Sequence, residues 1–169
     1  MAAIDDVLEA NRRYAEQFHH AGAPRPPTRK LVVVSCMDTR VGVSELLGLS
    51  LGEAHIIRNA GGIVTEDVLR SLVISHYIGG TQEVMIINNT KCGMLTFTDD
   101  ELMARIHKAT GKAAVVPACF HAFTDLEENL RRQVRKVQSH PWIPQSVSVR
   151  GFIYDVDSGR LCEVSVSSP

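Results

Sequence analysis

Two short stretches of this 169-residue chain carry groups that can do chemistry together. In the first, Cys36 is followed closely by Asp38 and Arg40; in the second, Cys92 stands between Lys91 and Gly93, with Asn89 a little upstream. A thiolate is both a nucleophile and a ligand for thiophilic metals. A carboxylate beside a guanidinium stays ionised and keeps one orientation. Thiolates and an oriented carboxylate are components of a metal site that keeps one coordination position open. Each group also has a plainer reading. Free cysteine is among the most buried residue types, and an Asp–Arg pair on a surface contributes little.

The elements around these residues must bring them together. Residues 31–35 and 83–88 are short runs rich in valine and isoleucine, the pattern of strands buried on both faces, and each cysteine lies past the end of one. Strand and helix signals alternate around them. A helix is expected around 43–47 and a strand at 54–58. Thr65 then caps a helix with Glu66 and Asp67 in its first turn and Gly79 and Gly80 at its end. Thr98 and Glu101 form a capping box for a helix stopping near Gly111, followed by a strand at 113–116. Residues 125–137 place Leu126, Leu130, Val134 and Val137 on one helical stripe, with Glu127–Arg131 and Glu128–Arg132 pairs on the solvated face. Segments 147–156 and 160–166 flank Asp157 to Gly159 and read as a hairpin or a pair of edge strands.

This alternation predicts an α/β fold with a mainly parallel central sheet flanked by helices. In such sheets ligands bind beyond the carboxyl ends of the strands, at a topological switch point. Residues 4–18 show helical spacing of Ile4, Val7, Leu8, Tyr14, Ala15 and Phe18, and a proline-bearing connector follows. Residues 1–30 are thus expected to form an N-terminal helix and arm that packs on a partner subunit. Residues 31–169 are expected to form a single α/β domain that ends in an edge hairpin.

An apolar fraction of 44% and a charged fraction of 22% are those of an ordinary globular protein, and a net charge of −1 offers no case for nucleic acid or an anionic membrane as partner. No apolar run approaches the roughly 20 residues of a membrane span, and no signal-peptide core is evident, so a cytoplasmic location is expected. The four cysteines form no CxxC pair, which in that compartment points to reduced thiols rather than a disulfide framework. Cys119 and Cys162 lack the polar company of the other two and read as structural. None of the histidines stands at a ligand-like spacing from either cysteine; His55 and His76 are the two that the fold could bring in.

Cys36-Met-Asp-Thr-Arg40, Arg58-Asn-Ala-Gly-Gly62 and Lys91-Cys-Gly-Met94 resemble the signature segments of β-class carbonic anhydrases, in order and spacing, from about Leu31 to the final hairpin. The likeness is to short members, a group that also contains carbonyl sulfide and carbon disulfide hydrolases. It implies a β-carbonic-anhydrase-like fold, Zn2+ as cofactor and a homodimer or homotetramer. The implied activity is reversible hydration of CO2, or hydrolysis of COS or CS2, by metal-bound hydroxide. Cys36 and Cys92 match the zinc thiolates. Asp38 and Arg40 match a catalytic dyad in which Asp38 is a conditional ligand, either on the metal or released to Arg40. Gly93, Asn59 and Gly61 are the implied substrate-binding positions.

The family's third ligand is a histidine at the position of Asn89, and Lys91 stands where aspartate is common. An amide oxygen is a harder donor than imidazole, and an inward-pointing Lys91 ammonium would oppose a dication. Three outcomes therefore stay open. A metal could be held by Cys36, Cys92 and Asp38 with water in the fourth place. The protein could be a metal-free binding or assembly module whose two thiols could oxidise to a disulfide where their Cα separation permits. Or one thiolate could act as a nucleophile in a repurposed pocket.

Overall fold

The computed structural model describes residues 2–113 and 119–166. Five strands form one sheet: β1 (Leu31–Cys36), β2 (Ala54–Asn59), β3 (Glu83–Asn89), β4 (Ser148–Tyr154) and β5 (Leu161–Val164). Their order is β2-β1-β3-β4-β5. The first four run parallel, and β5 returns antiparallel to β4 as the expected edge hairpin. The helices are α1 (Ala3–Glu16), α2 (Val43–Leu47), α3 (Glu66–Tyr77), α4 (Asp99–Thr110) and α5 (Leu126–Gln138). Most of strand 113–116 lies outside the described residues, and Ala113 itself is not in a strand.

Local chemistry sets the helix starts. Thr65 Oγ1 accepts from the Val68 N–H at 3.4 Å, and Asp125 Oδ1 accepts from the Glu128 N–H at 2.9 Å. At α4 the capping box is complete, with Thr98 Oγ1 accepting from Glu101 N–H at 3.2 Å and Glu101 Oε2 accepting from Thr98 N–H at 2.7 Å. Each bond satisfies a donor that the first helical turn would otherwise leave orphaned.

The sheet has two unequal faces. On one, Val32, Val34, Val84 and Ile86 are covered by Val68 and Leu72 of α3 and by Leu130, Val134 and Val137 of α5, all essentially inaccessible to solvent. On the other, Val33 and Ile87 are buried under Val41 and Val43, while Leu31, Met85 and Phe152 are only partly covered. α1 contributes nothing to either face, for none of its residues is buried. No helix among the described residues is long and apolar enough to cross a membrane.

Because β2 and β3 lie on opposite sides of β1, the chain reverses its direction of travel between β1 and β3. That reversal opens a crevice at their carboxyl ends, the switch point at which sheets of this kind bind ligands. Both cysteine segments emerge there.

The tightest approach of helix to sheet is at Gly151 of β4. A Cβ there would lie 2.8 Å from Val134 Cγ2 and 3.1 Å from Leu130 Cγ. Gly151→Val should therefore lower stability by about 1–3 kcal/mol through overpacking, read as a fall in the urea midpoint at unchanged m-value.

Candidate active site

The loop after β1 turns back on itself at Asp38. Val41 N–H closes the turn on Asp38 O at 3.0 Å, and the Arg40 N–H donates to Asp38 Oδ1, also at 3.0 Å. Arg40 then grips the same carboxylate with its side chain, Nε to Oδ1 at 2.9 Å and Nη2 to Oδ2 at 2.6 Å. Asn89 Nδ2 adds a fourth donor to Oδ2 at 3.0 Å. Arg40, helped by its own N–H and by Asn89, holds the Asp38 carboxyl well below the usual carboxylate range despite partial burial.

Beneath this pair lie the two thiols. Cys36 and Cys92 are buried, at 4% and 2% exposure, with their Sγ atoms 3.8 Å apart. The Cys92 S–H lowers the pKa of Cys36, and the backbone N–H groups of Asp38 and Gly61 reinforce the effect against burial. Cys92 is pushed up correspondingly, by its bond to Cys36 and by burial. The first proton leaves the pair readily, the second does not, and Ile63, Met94 and Phe123 form the apolar shell around the sulfurs.

Much of the support was not apparent from motif spacing. Arg58 donates to two carbonyls of the first loop, Cys36 O at 3.0 Å and Asp38 O at 2.7 Å. A buried neutral network holds the glycine loop: Asn88 Nδ2 donates to Gly61 O at 2.9 Å, Asn129 Nδ2 of α5 donates to Asn88 Oδ1 at 2.9 Å, and Gln133 Nε2 donates to Asn129 Oδ1 at 3.0 Å. Gly62 must be glycine. Its φ is +62°, and a Cβ would lie 3.0 Å from both Cys36 N and Ile87 O.

The cleft over the thiols has a volume of about 700 Å3, and Gly61 and Gly93 line it. Met94, Phe97, Leu102 and Phe120 supply apolar wall, and Arg105 supplies a cation. Asn59 is placed differently. Its amide is engaged by Ile63, donating to the carbonyl at 2.7 Å and accepting from the N–H at 2.8 Å, so it holds the loop. Lys91 turns outward: its Nζ pairs with Asp157 at 2.6 Å. What it directs inward is its carbonyl, which accepts from Arg40 Nη2 at 3.0 Å. The expected repulsion of a dication by that ammonium is thereby removed.

Other expectations sort clearly. His55 bonds Ser75 and His76 bonds Thr81 O, each at 2.7 Å; His55 pairs with Val32 at the amino end of β1, away from the thiols. Cys119 and Cys162 are exposed rather than packed. The expected isolation of Cys119 is corrected: its thiol donates to Asp99 Oδ2 at 3.0 Å and lies 3.4 Å from His121 Nδ1. The intervening chain length hid this contact. Among the described residues, no group of three His, Cys, Asp or Glu side chains is arranged to hold a metal ion; at the thiol pair, Asp38 faces Arg40 and position 89 holds an amide.

A family model described as carbonic anhydrase matches residues 31–161. The chain belongs to the β-carbonic anhydrase family. It is 41% identical to "Beta-carbonic anhydrase 1" of Mycobacterium tuberculosis, covering 98% of this chain and 99% of that protein. It is 34% identical to a "Carbon disulfide hydrolase" of Acidithiobacillus thiooxidans, covering 94% and 87%. In structure it resembles the carbonic anhydrase of Streptococcus mutans, with a TM-score of 0.92, 41% identity and coverage of 98% and 99%.

Asn88→Ala leaves the carbonyls of Gly61 and Gly62 without their buried donor, and stability should fall by about 1–3 kcal/mol, measured by chemical denaturation. Asp99 accepts from Cys119 and from the backbone N–H groups of Ala122, Phe120 and His121, which push its pKa down to about 2, and this clasp holds Phe120 at the cleft. A depressed carboxyl stabilises above its unfolded pKa and loses that contribution as pH falls through its folded pKa. The stability gap between the wild type and Asp99→Asn should therefore be full above about pH 4 and shrink toward pH 2, read from urea midpoints across that range.

Proposed function

We propose that this carbonic anhydrase-type enzyme uses zinc at Cys36 and Cys92 to hydrate CO2 reversibly, with hydrolysis of COS or CS2 as the allied activity. One observation carries the reading. Two sulfurs on a tetrahedral zinc, each at about 2.3 Å, lie about 3.8 Å apart, and the two thiols are already separated by 3.8 Å. The donor chemistry agrees, since thiolates select zinc over hard dications, and Cys36 is already biased toward the thiolate. Bound there, zinc would supply a Lewis acid that lowers the pKa of a water from about 15.7 to about 7.

The chain's own residues do the rest. Apolar walls from Met94, Phe97, Leu102 and Phe120 favour a small apolar heterocumulene over water. Those walls suit CO2, COS and CS2 alike, and one relative is named for the last of these. Asp38, ionised and only an acceptor, orients an incoming O–H by exchanging one of the bonds it already makes. Arg40 keeps that carboxylate from taking up a proton, and Arg40 and Arg105 favour an anionic product at the mouth. A reducing compartment such as the cytoplasm would keep both thiols free for metal.

A second copy of the chain would complete the fold. α1 exposes Ile4, Val7, Leu8 and Tyr14, with Phe18 just beyond it, while the thinly covered sheet face and the exposed Ile56, Ile74, Tyr77 and Ile78 await a partner. An apolar stripe and an under-covered face on one molecule suit a reciprocal homodimer with two-fold symmetry. Sedimentation should show a dimer for wild type and a shift to monomer for Val7→Asp with Leu8→Asp; an unshifted dimer would remove α1 from the interface.

For the activity, protein loaded with zinc should bind one ion per chain and hydrate CO2 in a stopped-flow assay run beside COS and CS2. Arg40→Ala should lower kcat/KM by about 10–100-fold, the range for a partner that orients active-site groups. Failure to bind zinc, together with no turnover of any of the three substrates, would overturn the proposal.

A further inference from the structure

The third protein donor is not settled by a thiol pair and an ion-paired Asp38. Asp38 is poorly placed to serve. Its two oxygens already accept four hydrogen bonds, from Arg40 N, Nε and Nη2 and from Asn89 Nδ2. An ionised carboxylate offers about four such sites, so moving it toward the sulfurs would break an entire clamp.

Asn89 presents the opposite situation. Its side chain is completely buried. Its Nδ2 donates both hydrogens, to Asp38 Oδ2 at 3.0 Å and to Thr90 O at 3.1 Å. Both partners are acceptors, so the amide cannot be reversed without setting oxygen against oxygen. The atom left over is therefore the carbonyl oxygen. Oδ1 is buried and has no hydrogen-bond partner among the described residues. Ser35 Oγ and Gln138 Oε1 are similarly orphaned, but Asn89 Oδ1 alone belongs to a side chain bonded to the Asp38–Arg40 pair. A buried acceptor left without a donor is costly; a cation would satisfy it as well as a donor would.

Resting on the zinc reading above, we infer that Asn89 is a bifunctional residue, its Oδ1 completing a metal site with Cys36 and Cys92 while its Nδ2 holds Asp38 off that metal. The two roles reinforce each other. Ligation through oxygen polarises the amide and makes its N–H groups better donors to Asp38. Asp38 held at Arg40 leaves the fourth coordination position open, which the chemistry of a catalytic zinc requires. The neutral amide is a weaker zinc donor than imidazole, so this site should hold zinc less tightly than one with histidine at position 89.

The test is zinc affinity of the full-length apo-protein, by competition with a chromophoric chelator, with Co2+ as the optical probe of coordination. Wild type should bind one zinc and give a tetrahedral cobalt spectrum with thiolate charge-transfer bands. Asn89→Ala should keep those bands but weaken zinc binding by at least about tenfold, the lower bound for losing even an outer partner. Asn89→His should tighten zinc by a similar factor and shift the cobalt ligand-field bands, which decides the matter even if the alanine variant does not fold. Equal zinc affinity in wild type and Asn89→His, with superimposable cobalt spectra, would overturn the role of Asn89 and leave the zinc reading intact. No zinc binding by either protein would instead overturn the zinc reading, and this inference with it.

Discussion

The parallel pairing of β1 with β3 is the constraint on which the site depends. Its register sets Leu31 against Glu83 and Ser35 against Ile87. Cys36 and Asn88 then continue the sheet face that carries Val32, Val34, Val84 and Ile86, while the following residues turn over the crevice. Since side chains alternate along a strand, a slip by one residue would exchange the faces. The Cys36 sulfur would leave Cys92 and the apolar shell of Ile63, Met94 and Phe123, and the valines would leave α3 and α5. Core and site are therefore specified by one alignment, and the burial of the valines protects the geometry of the thiols.

Around that alignment two polar systems divide the work. One is neutral and buried: Asn88, Asn129 and Gln133 join α5 to the glycine loop and satisfy carbonyls that no strand can reach. The other is charged and lies nearer solvent, with Arg58 fastening the first loop by its carbonyls and Arg40 fastening Asp38. The placement follows the cost of desolvation. An amide can be buried when its bonds are made, whereas an ion pair deep in a core seldom recovers what it loses in hydration. Asp38 and Arg40 have side-chain exposures of 12% and 46%, which keeps the charge active without a large penalty.

The fold was largely legible in the sequence, because helix caps and β-branched runs are local signals. Thr65, Thr98 and Asp125 each start a helix at the place their side-chain chemistry dictates. The site was legible where its residues sit in short motifs: Cys36, Asp38 and Arg40 lie together in one loop, and Cys92 stands at the equivalent strand end. What stayed hidden is nonlocal. Nothing in the spacing shows that Asn129 would bond Asn88, or that Asp99 would gather the N–H groups of residues 120–122. The direction of a flexible side chain was equally invisible, and Lys91 is the clearest case. Its charge suggested a conflict with metal, yet a carboxylate on the β4–β5 turn draws the ammonium away.

Lys91 also has a backbone φ of +52°, in the left-handed region that non-glycine residues seldom occupy. That twist presents its carbonyl to Arg40. Position 91 thus answers to two independent selections, one on the peptide and one on the side chain, and only the peptide touches the chemistry. Variation there should be filtered by conformational tolerance rather than by charge. Residues at ease in the left-handed region would be accepted whatever their polarity, and β-branched ones rejected even where they match the local hydropathy.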